Sequence, residues 1–230
     1  MVIDRRFRGP PNTSNGGYAC GLLARRLGGA VEVTLRAPPP LERELQISGA
    51  DPVLTLRDGE VLLAEARRAQ LDLKVPNPVS LDEAAAAAQR SRALREHPYP
   101  DCFGCGPERG ADDGLRLFPG TLEERGIAAC MWTPRESLAD VQGHVRSEIV
   151  WVALDCPTGW GGDLYGETRP SMLGRLTGEI MSPIEPGAPI IVIAWPIGSE
   201  GRKWEGGTAL FTDAGELKAL SRGLWIELGD

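Results

Sequence analysis

PNTSNGGYACGLLARRLGG, residues 11–29, sets two adjacent glycines where a cap residue meets a helical apolar pattern. Glycine is a poor helix former, so Gly16-Gly17 at a helix start calls for a reason to keep the backbone bare. Asn15 supplies the cap, and Gly28-Gly29 close the helix, where a left-handed residue is common. Beyond it come AVEVTLRAPPPL (30–41), ERELQISG (42–49), DPVLTLRDG (51–59) and EVLLAEARRAQLDL (60–73), which read as strands, with Asp58-Gly59 as a hairpin turn. The first part of the chain is therefore one helix plus an antiparallel sheet, an α+β arrangement.

KVPNPVSLDEAAAAAQRSRALREHPYP (74–100) has prolines at each end, a capping box from Ser80 to Glu83 and an alanine run. It reads as a polar connector with a short helix, an interfacial helix being the alternative. The expected organisation is a first half at 1–75, a linker at 76–100 and a second half at 101–230. The second half repeats the plan. GLRLFPG (114–120) and GIAACMWTP (126–134) read as strands, RSEIVWVALDC (146–156) as a buried helix stopped by Pro157, and the remainder as further strands. The last hairpins of the two halves are related. DGEVLLAEAR (58–67) and DAGELKALSR (213–222) share Asp at the first position, Ala at the seventh and Arg at the tenth, which reads as an internal duplication.

Composition excludes several classes. The 230 residues are 42% hydrophobic, enough for one large domain or two small ones. A net charge of −7 and a pI near 5.1 give no footprint for nucleic acid. MVIDRRFRGPP lacks an apolar signal region and no stretch approaches a membrane span, so a cytoplasmic location without membrane attachment is expected. Cys20, Cys102, Cys105, Cys130 and Cys156 are expected as reduced structural thiols. Cys102-x-x-Cys105 has zinc-knuckle or redox spacing, but no second pair follows, so no metal is expected. Neither a dinucleotide fingerprint nor a phosphate-binding P-loop is present.

A helix set before a long antiparallel meander, occurring twice, resembles the hotdog fold in tandem. CFGCGPERGADDGLRLF (102–118) looks like the opening of hotdog proteins of the acyl-CoA thioesterase type, and GRKWEGGTALFTDAGELKALSRGLWIEL (201–228) resembles their closing strands. The resemblance implies a double hotdog, with two antiparallel sheets each wrapped around a central helix. It further implies a helix that begins His-Gly-Gly, with an acidic residue nine positions after the His. Here Asn15-Gly16-Gly17 stands at the first motif, with Ala24 nine positions on; the second half has Asp155, with Arg146-Ser147-Glu148 at its motif. Each half keeps what the other has lost. One composite site is implied, pairing Asn15, Gly16 and Gly17 with Asp155. The reciprocal pairing is degenerate, with Arg146 and Glu148 either an ion pair or flanks of a vestigial site.

The chemistry that the resemblance implies is thioester hydrolysis. A helix start offers unpaired N–H groups and the positive end of the macrodipole to an oxyanion, and the amide of Gly17 is the expected donor. Asp155 is then the nucleophile or the general base on water. Thr158, Gly159 and Trp160 either contact substrate or form only a turn. Tyr18 either packs in the core or meets the acyl chain, and His144 lies on a loop before the second helix, within conceivable reach of substrate. The expected partner is an acyl-CoA or acyl-carrier thioester. No cofactor is expected beyond the coenzyme A of the substrate, and the sequence leaves the oligomeric state open, although tandem hotdogs often pair further through exposed sheet edges. The alternatives are a non-catalytic acyl-CoA or acyl-carrier binding protein and a hotdog dehydratase or hydratase.

Overall fold

In the computed structural model, which describes residues 1–166 and 170–229, helix α1 (Gly16–Leu27) begins where Asn15 Oδ1 accepts the amide of Tyr18 at 2.9 Å. It ends at Gly28, whose φ of +69° suits glycine. Strands β1 (Val31–Leu35), β2 (Gln46–Ala50), β3 (Val53–Asp58) and β4 (Val61–Arg68) follow. Helix α2 (Leu81–Ala88) carries the reciprocal Ser80–Glu83 capping box. Then come β5 (Gly120–Leu122), β6 (Ile127–Trp132), helix α3 (Ser147–Trp160) and β7 (Ser171–Ile180). The chain closes with β8 (Ile190–Glu200), β9 (Lys203–Thr212) and β10 (Leu217–Glu227).

The strands form one ten-stranded sheet in the order β2-β3-β4-β1-β7-β10-β9-β8-β6-β5. The expectation of two sheets is corrected here. Strands β1 and β7 pair antiparallel, from Val31 opposite Gly178 to Thr34 opposite Arg175. Each would otherwise present a row of unpaired backbone groups at an edge, and joining the halves satisfies both. Outward from this seam the order repeats: β4, β3, β2 on one side and β10, β9, β8 on the other, with a helix before each seam strand. Strands β6 and β5 lengthen the second side alone.

Both faces of the second side are covered. Along β8, Ile190 and Val192 join the core shared by α1 and α3, whereas Ile191, Ile193 and Trp195 join a cluster with Ala84 and Ala87 of α2. Alternation of side chains sends successive residues to opposite faces, which is why this strand reads as a continuous apolar run. No helix among the described residues is long and apolar enough to cross a membrane.

Two sequence expectations fail locally. Residues 115–119 form no strand: Arg116 has a φ of +57°, and Leu115 and Leu117 donate their amides to the carbonyls of Phe103 and Gly104. Pro157 does not stop α3, which runs on to Trp160. The ring removes one intrahelical bond, yet tertiary contacts hold the last turn: Thr158 is fully buried, its hydroxyl donates to the carbonyl of Asp155 at 2.6 Å, and it accepts the indole N–H of Trp225 at 2.7 Å.

The paired glycines serve the helix contact. A Cβ on Gly17 would lie 2.5 Å from both Asp155 Cβ and the Trp151 carbonyl oxygen, and one on Gly21 would lie 2.5 Å from Glu148 Cα. Gly17 and Gly21 sit one turn apart on a single face of α1, so α3 approaches α1 at backbone distance along that face.

Candidate active site

The close approach of α1 and α3 decides the site. The amide of Gly17 donates to Asp155 Oδ2 at 2.6 Å, joining the helix start of one half to the acid of the other. The same amide, expected from the sequence as an open oxyanion donor, is thereby occupied; with no Cβ between the helices, the carboxylate reaches it directly. Gly16 is the first helical residue, whose N–H can have no partner within the helix. It lines a cavity of about 310 Å3 together with Asn15 and Asp155. Asp155 Oδ1 is buried and has no hydrogen-bond partner among the described residues. Burial pushes the Asp155 carboxyl up to about 8, opposed by the Gly17 hydrogen bond. A carboxyl poised there can both take and give a proton near neutral pH.

The cavity walls are largely apolar, with Leu173, Met172, Trp204 and Trp225 among them. The Trp204 and Trp225 rings stack with centroids 6.2 Å apart. Gly159 and Trp160 also line the space, and a Cβ on Gly159 would come within 2.8 Å of the Trp225 ring. Thr158 is not part of the lining; it acts from behind, holding the Trp225 indole. Tyr18 turns away into the core, stacked on Phe7 with centroids 4.0 Å apart. His144 is also outside the cavity lining. Its loop is closed by Asp140, which accepts the His144 amide at 3.1 Å, and it precedes the start of α3, about 12 Å along the helix from Asp155.

The solved structures similar to this chain cover almost all of it at low identity. A candidate thioesterase of Novosphingobium aromaticivorans is matched over 100% of this chain and 94% of its own, with a TM-score of 0.64 and 12% identity. The tesB protein of Mycobacterium avium subspecies paratuberculosis gives 0.61 and 12% over 96% and 90%. A protein of unknown function with the hot dog fold from Alicyclobacillus acidocaldarius gives 0.61 and 14% over 100% and 92%. The chain has the hotdog fold. No protein-family model and no curated protein sequence matches it.

Within this hotdog chain the second helix start is closed. Glu148 is buried and pairs with Arg25 of α1 at 3.4 Å, not with Arg146, whose guanidinium lies over the Phe7 ring at 5.9 Å. An ion pair thus stands where the second helix start meets α1.

Sequence reading missed two contributors. Cys156 of α3 joins Cys102 and Cys105, the three ligand atoms lying within 4.8 Å of one another, so the Cys-x-x-Cys pair does have a third member. His97, five residues before Cys102, lines the cavity and places Nε2 at 3.1 Å from Cys105 Sγ. The signal was His-x-x-x-x-Cys-x-x-Cys in HPYPDCFGC; the partner on α3 lies 51 residues beyond Cys105 and leaves no local trace. Hydrogen bonds within the cluster, with Cys105 and then Cys156, hold the Cys102 thiol well below the usual thiol range.

Proposed function

We propose that this chain is an acyl-CoA thioesterase-like hydrolase, a double hotdog fused along the β1–β7 seam, with one composite site between its halves. The observation that carries the reading is the 2.6 Å hydrogen bond from the Gly17 amide to Asp155 at the wall of the cavity. In this reading Gly17 is a positioning residue. It fixes Oδ2 and leaves Oδ1 to attack the thioester carbonyl or to take a proton from water. The developing oxyanion sits at the amide of Gly16, at the positive end of α1. One well-placed donor of this kind is worth about 3 kcal/mol in the transition state. Asn15 holds the first turn through the Tyr18 amide, so the donor keeps its direction. The leaving thiolate needs no strong general acid, since a thiol ionises at about 8.5. The apolar walls built by Leu173, Met172 and the paired tryptophans suit an acyl chain. The thioesterase described from Novosphingobium and the tesB protein share this fold, which fits the reading without assigning the substrate.

The test is thiol release from a panel of acyl-CoA esters by the purified chain and by Asp155→Asn. Release that the substitution abolishes is the expected result. Equal rates in the two proteins would remove Asp155 from the chemistry. Tight acyl-CoA binding without release would assign the cavity to a binding protein, and reversible hydration of an enoyl-CoA would assign it to the dehydratase class.

A further inference from the structure

The loop carrying Cys102 and Cys105 closes on α3 because Gly104 has no side chain: a Cβ there would lie 2.4 Å from Cys156 Sγ. The closure brings Cys102 Sγ and Cys156 Sγ to 3.8 Å. Ligands at about 2.3 Å from a tetrahedral zinc ion stand about 3.8 Å from one another, whereas a disulfide requires about 2.05 Å. All three sulfurs are buried and line the cavity beside Asp155.

The surroundings supply hydrogen-bond donors to every one of these sulfurs. Asn15 Oδ1 accepts from Tyr18, which turns its amide nitrogen to Cys102 Sγ at 3.6 Å and Cys156 Sγ at 3.4 Å. His97 Nδ1 accepts the amide of Tyr99 at 2.9 Å, so the neutral ring carries its proton on Nε2 and donates it to Cys105 Sγ. That tautomer makes His97 a donor to the sulfur and unsuited to be a ligand, since a ligating ring would have to donate from Nδ1. Donors aimed at three clustered sulfurs suit thiolates bound to a soft cation. Among the described residues no fourth His, Cys or carboxylate joins the group.

We propose that Cys102, Cys105 and Cys156 bind one zinc ion as a three-thiolate site, with its fourth position open to the cavity and with Asn15 and His97 as hydrogen-bond donors to the sulfurs. The ion ties the 97–106 loop to α3, one residue from Asp155. Binding does not depend on hydrolysis and is read separately from it.

The experiment is metal analysis of the full chain purified under reducing conditions, followed by cobalt(II) titration of the chelator-stripped protein. One zinc per chain and intense near-ultraviolet thiolate-to-cobalt bands are expected. Cys102→Ser and Cys156→Ser should lose both, Cys130→Ser should keep both, and His97→Ala should keep the stoichiometry while weakening binding by about 10–100-fold. The unaltered chain decides the matter even if a cysteine variant does not fold. Reduced protein that retains no zinc and gives no thiolate-to-cobalt bands overturns the proposal. So does a Cys102–Cys156 disulfide in the freshly isolated chain, or a His97→Ala variant that loses the metal altogether.

Discussion

Replacing Gly17 with alanine sets two effects of opposite sign against each other. Alanine is the better helix former by about 1 kcal/mol, so at an unencumbered helical position the change stabilises. At Gly17 the new methyl would stand 2.5 Å from both Asp155 Cβ and the Trp151 carbonyl oxygen. Ordinary contact begins near 3.5 Å, so the two helices must part by about 1 Å. Both obstacles belong to the backbone or its first side-chain atom and cannot rotate aside. Overpacking of this kind costs about 1–3 kcal/mol, and the rigid neighbours put this case at the upper end. The net expectation is a loss of about 2 kcal/mol, a fall in Tm of about 4–8 °C for a chain of this length. The same displacement lengthens the Gly17–Asp155 hydrogen bond, and a shift of about 1 Å at a catalytic group costs about 100-fold in rate. Thermal unfolding and thiol release measure the two losses. Gly110→Ala is the control, since nothing lies within 4 Å of its Cβ position, and its Tm should not fall. A Gly17→Ala protein as stable as the parent and equally active would refute both the helix contact and the role of the bond it permits.

Two further outcomes follow from the same geometry. In the metal-free chain the Asp155 carboxyl ionises at about 8 when folded, against 3.8 ordinarily. The stability held by its neutral form is therefore complete below about pH 4 and is lost as the pH rises toward 8, by about 1.4 kcal/mol per unit. Asp155→Asn escapes that loss, so its stability advantage in urea unfolding should widen steadily from about pH 5 to about pH 8; parallel curves would show that the carboxyl is not held neutral by burial. Glu148→Gln removes a charge from the closed second helix start, where its partner Arg25 is half exposed. Because the Glu148 side chain is buried, the change should cost about 1–3 kcal/mol and leave thiol release unchanged. A large fall in release would mean that the second helix start takes part in the chemistry.

The elements whose signal is local were legible in the chain: the Asn15 cap, the glycine stop of α1, the Ser80–Glu83 box of α2 and the Asp58-Gly59 turn depend on residues within one turn of each other. The complementary placement of Asn15-Gly16-Gly17 and Asp155 was read from the sequence only through the motif spacing that the hotdog resemblance implies. Nonlocal pairing decided the rest. Whether β1 and β7 close separate sheets or share a seam depends on which edges meet, and antiparallel edges carry no sequence label of their own. Pro157 reads as a stop because the rule for proline is local, while one of the two bonds of Thr158 in the turn beyond it comes from Trp225 on the last strand. The bareness of Gly17 was visible as an anomaly in the sequence. That it admits the carboxylate of Asp155 to within 2.6 Å was decided only by the crossing of two helices 138 residues apart along the chain, where a single Cβ separates contact from collision.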